Sequence, residues 1–248
     1  MLFTIISLPC GAAFGQEADL SRFHRWAASD ISALGSVIGK DPLKLAVPTL
    51  TLVIPLAIFD EQLSQRAANV GTNPFFDTVN NLGSPIMTPV TAGIFVASLF
   101  TSNPKMQDSA FTSFESLIYA GSITIILKNS LGRLRPRKDQ GAFGFRGFSG
   151  HSSFPSGHTT AAFAILSPWV FYYPHPITYS LLAVASATGV ARIYKEKHWP
   201  SDVAIGAAIG IGTARFLTKR HQNPTKTKRQ RTRLSIAGLG ARLTVGLD

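Results

Sequence analysis

Residues 152–164, SSFPSGHTTAAFA, place a Pro-Ser-Gly-His run directly before a stretch of small apolar residues. The apolar stretch predicts a buried helix, and glycine is a poor residue with which to begin one. The first turn of a helix presents free backbone N–H groups and the positive end of the helix dipole, which together attract anions. Ser156, Gly157 and His158 therefore predict an anion at this helix start, although Ser156 alone is also typical of a plain N-cap.

The quoted helix is the fourth of six apolar segments, each of about 14 to 17 residues. That length lies at or below the length that spans a bilayer, so core helices of a soluble all-α protein are an alternative. The first and third segments are almost free of charge, which favours membrane helices. We predict an all-α fold, a six-helix transmembrane bundle with an N-terminal amphipathic helix and a basic C-terminal tail. The segments are Leu43–Phe59, Pro85–Thr101, Phe111–Leu127, Thr159–Tyr173, Ile177–Val190 and Val203–Leu217.

The first 42 residues divide into two parts. Residues 1–15 are apolar, include Cys10, the one cysteine of the chain, and end in small residues. They read either as a cleaved secretory signal that lacks its basic start or as an apolar N-terminus that stays attached. In residues 16–42 the period of the apolar side chains predicts an amphipathic helix that either lies on the membrane surface or packs on the bundle. The recurring residues are Leu20, Phe23, Ala27, Ile31, Leu34 and Ile38.

The chain carries 24 Lys and Arg against 13 Asp and Glu, a net charge of +11, and much of the excess lies after residue 214. Such a charge suits nucleic acid, anionic lipid or the inner face of a membrane, and the apolar segments favour the membrane over nucleic acid. We assign residues 43–218 to one helical domain and residues 219–248 to a basic tail. Alternating apolar residues from Leu239 to Leu247 are consistent with a strand in that tail.

Two further polar stretches lie at the ends of apolar segments. The run KNSLGRLRP, residues 128–136, closes the third segment, and ARIYKEKHWPSD, residues 191–202, joins the fifth to the sixth. In a bundle whose helices run alternately up and down, both stretches lie at the end where the fourth segment begins. Each has an ordinary reading as membrane-flanking charge or helix capping, but their convergence suits a phosphate group. The converging residues are Lys128, Arg135, His158, Arg192, His198 and Asp202.

Together the three stretches resemble the signature of the type 2 phosphatidic acid phosphatase and vanadium haloperoxidase superfamily. That signature is Lys-x6-Arg-Pro, then Pro-Ser-Gly-His, then Ser-Arg-x5-His-x3-Asp. In this chain the three parts of the signature begin at Lys128, Pro155 and Ala191. The alanine stands where the family usually has serine. The resemblance covers about residues 110–215 and implies that residues 43–218 form a phosphatase domain of this family.

The resemblance also implies the role of each residue. His198 is expected to attack phosphorus and form a phosphohistidine, Asp202 to hydrogen bond its other ring nitrogen, and His158 to protonate the leaving oxygen. The groups expected to hold the phosphate oxygens are Lys128, Arg135, Ser156, Gly157 and Arg192. Such a reaction uses no metal or other cofactor, and the site lacks the clustered carboxylates that a magnesium centre needs.

We therefore predict a membrane phosphatase that hydrolyses a lipid phosphate or diphosphate. A periplasmic or secreted non-specific acid phosphatase of the same superfamily is an alternative. A vanadate-dependent haloperoxidase is another, although those enzymes are usually much longer soluble chains. A membrane scaffold without activity does not account for the full set of candidate catalytic groups.

The basic tail also predicts the orientation in the membrane. Residues 219–233 hold seven Lys or Arg and no acid, so the positive-inside rule places the tail in the cytoplasm. With six crossings of the inner membrane, one end of the bundle then faces the periplasm or the outside of the cell. That end carries Lys128, His158 and His198. A signal cleaved before Gln16 would reverse this orientation.

Overall fold

The structure is a computed structural model and describes residues 20–40, 51, 53–69, 74–82, 86–150, 152–223, 232–237 and 240–245. Its described part is built almost wholly of helices, so the predicted all-α class is confirmed. The helices are α1 (Ser21–Lys40), α2 (Asp60–Ala68), α3 (Pro74–Leu82), α4 (Met87–Ser98), α5 (Pro104–Leu131), α6 (Gly157–Tyr172), α7 (Pro176–Tyr194) and α8 (Pro200–Gln222).

The apolar segments predicted as helices fall within these elements. The second lies in α4 and the third to sixth lie in α5, α6, α7 and α8 in turn. Residues 53–58 of the first segment are helical, and much of the rest of that segment lies outside the described residues. Among the described helices, α5 and α7 are long and apolar enough to cross a membrane. The number of six crossings stays a prediction.

Helix α6 occupies the centre of the bundle and packs against α5, α7 and α8. Small residues let α8 lie close to it. A Cβ atom on Gly206 would come within 2.7 Å of the carbonyl oxygen of Ser156, and one on Gly210 within 2.6 Å of that of Thr160. Because glycine has no side chain, the two backbones can approach at these points. This close packing brings the first turn of α8 to the first turn of α6.

Helix α1 packs against the end of the bundle formed by the start of α5 and the end of α8. Phe23 is buried, with its ring centroid 4.8 Å from that of Phe111. Asp30, which the sequence period placed off the apolar face, is also buried and accepts a hydrogen bond of 2.6 Å from Arg220. These contacts agree with the alternative in which this helix packs on the bundle. A position on the membrane surface stays a prediction.

The polar segment between the first two apolar stretches contains two short helices. These are α2 and α3, each of nine residues. Asp60 and Glu61 lie in the first turn of α2 and Arg66 in its last, an arrangement that suits the helix dipole. Pro74 begins α3, where its missing N–H costs no hydrogen bond.

The tail contains a β-hairpin. Strand β1 (Thr232–Ala237) pairs antiparallel with β2 (Gly240–Val245), with Thr232 opposite Val245. Of the alternating residues that predicted a strand, Ala241, Leu243 and Val245 lie in β2, and Leu239 and Leu247 lie outside the described residues. The partner strand, β1, was not predicted.

Large apolar side chains are exposed along the outside of the helices. Ile125 and Ile126 of α5 and Ile177 of α7 are each at least 60% exposed. Exposed apolar side chains of this size are typical of helices that face lipid.

Candidate active site

The structure brings the three predicted stretches together at one end of the bundle. The backbone N–H of Ser156, just before α6, donates to the carbonyl of Asp202 in the first turn of α8 at 3.0 Å. Lys128, one turn before the end of α5, extends alongside the start of α6, where a Cβ on Gly157 would lie 3.5 Å from its Cε. The candidate residues therefore surround one location, as the alternating chain direction predicted.

His198 is held by a backbone carbonyl. Its Nδ1 lies 2.5 Å from the carbonyl oxygen of Ser153, and the side chain is almost fully buried. A carbonyl can only accept, so Nδ1 carries the proton and Nε2 keeps a free electron pair. Burial lowers the pKa of His198 to about 4, although Asp202 raises it. The imidazole is therefore neutral near pH 7, the state that a nucleophile requires.

Asp202 does not make the hydrogen bond that the resemblance implied. Its nearer carboxylate oxygen lies 3.7 Å from Nδ1 of His198, beyond hydrogen-bond distance. The same oxygen accepts from the Ser153 hydroxyl at 2.5 Å and from the backbone N–H of Trp199 at 2.9 Å. Asp202 thus acts on His198 through its charge and by fixing Ser153, whose carbonyl occupies the expected position.

Arg133 and Asp60 complete this network, and neither was among the predicted site residues. The Arg133 guanidinium is buried and bridges two carboxylates, with distances of 2.6 Å to Asp202 and 2.7 Å to Asp60. Asp60 also accepts from the backbone N–H of Ser201 at 2.8 Å. Burial alone would raise the pKa of Asp202, but His198 and Arg133 hold it below its usual value. The first turn of α2 is thereby tied to the first turn of α8.

His158 lies among positive groups. Burial, and after it the charges of Arg192, Lys128 and Arg135, together lower its pKa to about 4. An anionic phosphate in the same place acts in the opposite sense and raises the pKa of His158. Binding of the substrate is therefore expected to load His158 with the proton that a general acid needs.

The three predicted cations are anchored by neighbours. Lys128 donates to the Ser152 carbonyl at 2.5 Å, Arg135 donates to the Ser152 hydroxyl at 3.2 Å, and Arg192 donates to the side chain of Asn80 in α3. The buried Nε of Arg192 has no hydrogen-bond partner among the described residues. A buried donor without an acceptor is costly, and a phosphate oxygen would satisfy it.

Ser156 and Gly157 form the start of α6. The Ser156 hydroxyl is fully buried and shares a hydrogen bond of 2.8 Å with the hydroxyl of Thr159. Gly157 is the first helical residue and lies beside Lys128. The first turn of a helix has free backbone N–H groups, and this one lies beside Lys128, where an anion is expected. Direct contact of Ser156 with phosphate stays a prediction.

The stretch of sequence that contains these site residues matches a known protein family. The sequence profile of the PAP2 superfamily matches residues 109–226, which contain all three motifs. Residues 109–226 of the chain belong to the PAP2 superfamily. The prediction of a lipid phosphatase of this family, a hydrolase of phosphoric monoesters, is thereby confirmed, and the family and the apolar helices together support a membrane location.

Two curated relatives are similar over different lengths. A lipid A 1-phosphatase of Rhizobium johnstonii is 28% identical over 207 residues, which cover 75% of this chain and 84% of the relative. A lipid A 1-phosphatase of Rhizobium etli is 36% identical over 102 residues, 39% of this chain and 44% of the relative.

One solved structure has the same fold. It is the transmembrane PAP2 type phosphatidylglycerolphosphate phosphatase from Bacillus subtilis, with a TM-score of 0.56 and 22% identity. The match covers 75% of this chain and 98% of that structure.

Proposed function

We propose that this PAP2 phosphatase removes the 1-phosphate of lipid A or of a closely similar phosphorylated glycolipid. The observation that carries the proposal is the similarity to a lipid A 1-phosphatase along 75% of this chain. The alternative is a non-specific acid phosphatase. Such an enzyme would need no surface beside the site that contacts lipid.

The loop beside the site supports a lipid substrate. Phe143, Phe145 and Phe148 are large apolar residues with exposed side chains, and Phe148 is 85% exposed. The backbone of Phe145 pairs with that of Arg133, which fixes the loop next to the catalytic network. Exposed aromatic side chains are disfavoured in water and are enriched where proteins meet the membrane interface. The loop is therefore suited to contact lipid whose phosphate enters the site.

The geometry supports a two-step transfer. The free Nε2 of His198 attacks phosphorus, the bond from phosphorus to the ester oxygen breaks, and His158 gives its proton to that oxygen. Water then attacks the phosphohistidine, the N–P bond breaks, and the now neutral His158 takes the proton of the water. Lys128, Arg135 and Arg192 hold the phosphate oxygens in both steps.

A substrate panel tests the proposal. The purified full chain in detergent is expected to release one phosphate from lipid A bisphosphate, with mass spectrometry showing that the phosphate at the 1-position is lost. Phosphatidic acid, phosphatidylglycerol phosphate, an isoprenoid diphosphate and p-nitrophenyl phosphate are expected to give lower kcat/KM. A higher kcat/KM for p-nitrophenyl phosphate than for every lipid would refute a lipid-directed site.

The Phe143→Ser/Phe148→Ser double variant tests the role of the loop with the same substrates. It is expected to raise KM for the lipid while leaving kcat/KM for p-nitrophenyl phosphate unchanged. Equal losses on both substrates would show that the loop supports the fold and does not contact lipid.

We further propose a multi-pass inner-membrane protein whose site faces the periplasm. Asp202 lies in the first turn of α8, whereas Lys219 and Arg220 lie in its last, at the end that leads into the basic tail. With 23 residues, α8 is roughly 34 Å long, which matches the length that a bilayer crossing needs. A fluorescent protein fused after Asp248 is expected to fluoresce, and an alkaline phosphatase fused there to be inactive. The opposite pair of results would place the site in the cytoplasm.

A further inference from the structure

A second binding surface lies at the end of the bundle opposite the active site. A cleft of about 390 Å³ opens between the end of α6, the start of α7 and the end of α8. Phe171 lies 14 positions beyond Gly157 in α6, which corresponds to about 21 Å along the helix. The cleft is therefore separate from the phosphate site, and no residue of the catalytic network lines it.

The polar side of the cleft is positively charged. Arg215 and Lys219 line it from one face of α8, four residues apart, and both are exposed. Within the described part of the chain neither forms an ion pair, whereas the next residue, Arg220, pairs with Asp30 at 2.6 Å. A helix dipole attracts cations to the last turn alone, and Arg215 lies two turns before the end of α8. The dipole therefore does not account for both cations.

A buried hydroxyl between the two cations also lacks a partner. Thr218 lines the cleft and is only 3% exposed, and its Oγ1 has no hydrogen-bond partner among the described residues. Buried hydroxyl groups are almost always hydrogen bonded, because leaving one unpaired costs free energy. An acceptor oxygen in the cleft would satisfy it.

The opposite wall of the cleft is apolar. Val170 and Phe171 of α6 and Leu182 of α7 line it. A free phosphate ion gains nothing from such a wall, whereas a phospholipid can place a phosphate against the cations and the first part of its acyl chains against the apolar residues. Basic clefts between membrane helices at the level of the headgroups are typical sites for anionic lipids.

We propose that this cleft binds the headgroup phosphate of an anionic phospholipid that is not the substrate. Arg215 offers forked donors, Lys219 a point charge and Thr218 a hydroxyl donor, which together match a phosphodiester. The site is independent of the hydrolysed substrate, because a phosphodiester headgroup is not a phosphoric monoester.

Binding to the full chain in detergent micelles tests the proposal, with phosphatidylglycerol as the probe and phosphatidylcholine as the zwitterionic comparison. Phosphatidylglycerol is expected to raise Tm more than phosphatidylcholine. The Arg215→Gln/Lys219→Gln variant is expected to weaken the apparent Kd for phosphatidylglycerol roughly 30-fold, from about 1 kcal/mol per cation near a charged surface. The Arg25→Gln/Arg66→Gln variant, which removes two charges outside the cleft, is expected to bind as the wild type does.

Thr218→Val separates a ligand role from a structural one. It is expected to weaken phosphatidylglycerol binding several-fold while leaving the lipid-free Tm unchanged or raised, because it removes an unpaired buried hydroxyl. The proposal is overturned if the cleft variant and the control variant bind phosphatidylglycerol equally, or if Thr218→Val lowers the lipid-free Tm without affecting binding. Equal stabilisation by inorganic phosphate would overturn the assignment to a lipid.

Discussion

Replacing His198 with alanine is expected to lower kcat by a factor of at least about 10⁴, because it removes the group that attacks phosphorus. The structure gives this residue the features of a nucleophile. Its Nδ1 is bound to the Ser153 carbonyl, its Nε2 is free, and burial lowers the pKa of its imidazole to about 4. No other histidine in the site has its ring fixed by a backbone carbonyl in this way among the described residues.

Rapid quenching of the wild type with a radiolabelled substrate measures the intermediate directly. An acid-labile, base-stable label on the wild-type protein is expected, and it should be absent from His198→Ala. His158→Gln should instead accumulate the label with an activated leaving group, because such a group leaves without a proton donor, whereas the variant lacks the base that takes the proton of the attacking water. His24→Ala, a change of an exposed histidine in α1, serves as the control and should retain activity. Phosphate release by His198→Ala at a rate near that of the wild type would exclude the phosphohistidine.

The sequence predicted that residues next to certain helix ends come together. Lys128, His158 and Asp202 each stand at the border of an apolar segment, so chain direction alone determined that they meet. The packing of α8 on α6 through Gly206 and Gly210 then sets the distance between the motifs. Patterns of this kind can be read from one sequence because they depend on local periodicity.

Other parts of the site depend on contacts that leave no local pattern. Asp60 contacts Ser201 across 141 positions of the chain, and nothing in its own polar stretch distinguishes it from the neighbouring Glu61. Ser153 acts through its backbone carbonyl, which every residue possesses. In the structure Nδ1 of His198 lies nearer to the Ser153 carbonyl than to Asp202, because spacing brings the two side chains near one another but does not specify which acceptor reaches Nδ1.

Replacing Arg133 is expected to be the most damaging change outside the groups that touch the substrate. The guanidinium is buried between Asp60 and Asp202, so Arg133→Met leaves two buried carboxylates without their counter-charge. Breaking a buried ion pair in this way costs about 3–5 kcal/mol of folding free energy. Burial already raises the pKa of Asp60 with Arg133 in place, so in the variant this carboxyl is expected to take up a proton.

Thermal unfolding of four proteins measures the coupling: the wild type, Arg133→Met, Asp60→Asn and the double variant. Asp60→Asn removes one of the two buried carboxylates that lose their counter-charge in Arg133→Met. The double variant is therefore expected to be more stable than Arg133→Met alone. Arg137→Met, a change of an exposed arginine four residues further on, is the matched control and should change Tm little. Additive losses in the double variant would contradict the bridge between the two carboxylates.

The kinetics of the same variants separate positioning from stability. Arg133 and Asp60 fix Asp202 and the start of α8, and through Ser153 they fix the ring of His198, but they do not contact the phosphate site themselves. A shift of about 1 Å in a reacting group costs roughly 100-fold in rate. The folded double variant is therefore expected to lose about 100-fold in kcat with KM almost unchanged, because Lys128, Arg135 and Arg192 still bind the phosphate. If KM rose instead while kcat held, Arg133 would belong to the phosphate-binding groups, and the role of the buried network in aiming the nucleophile would have to be abandoned.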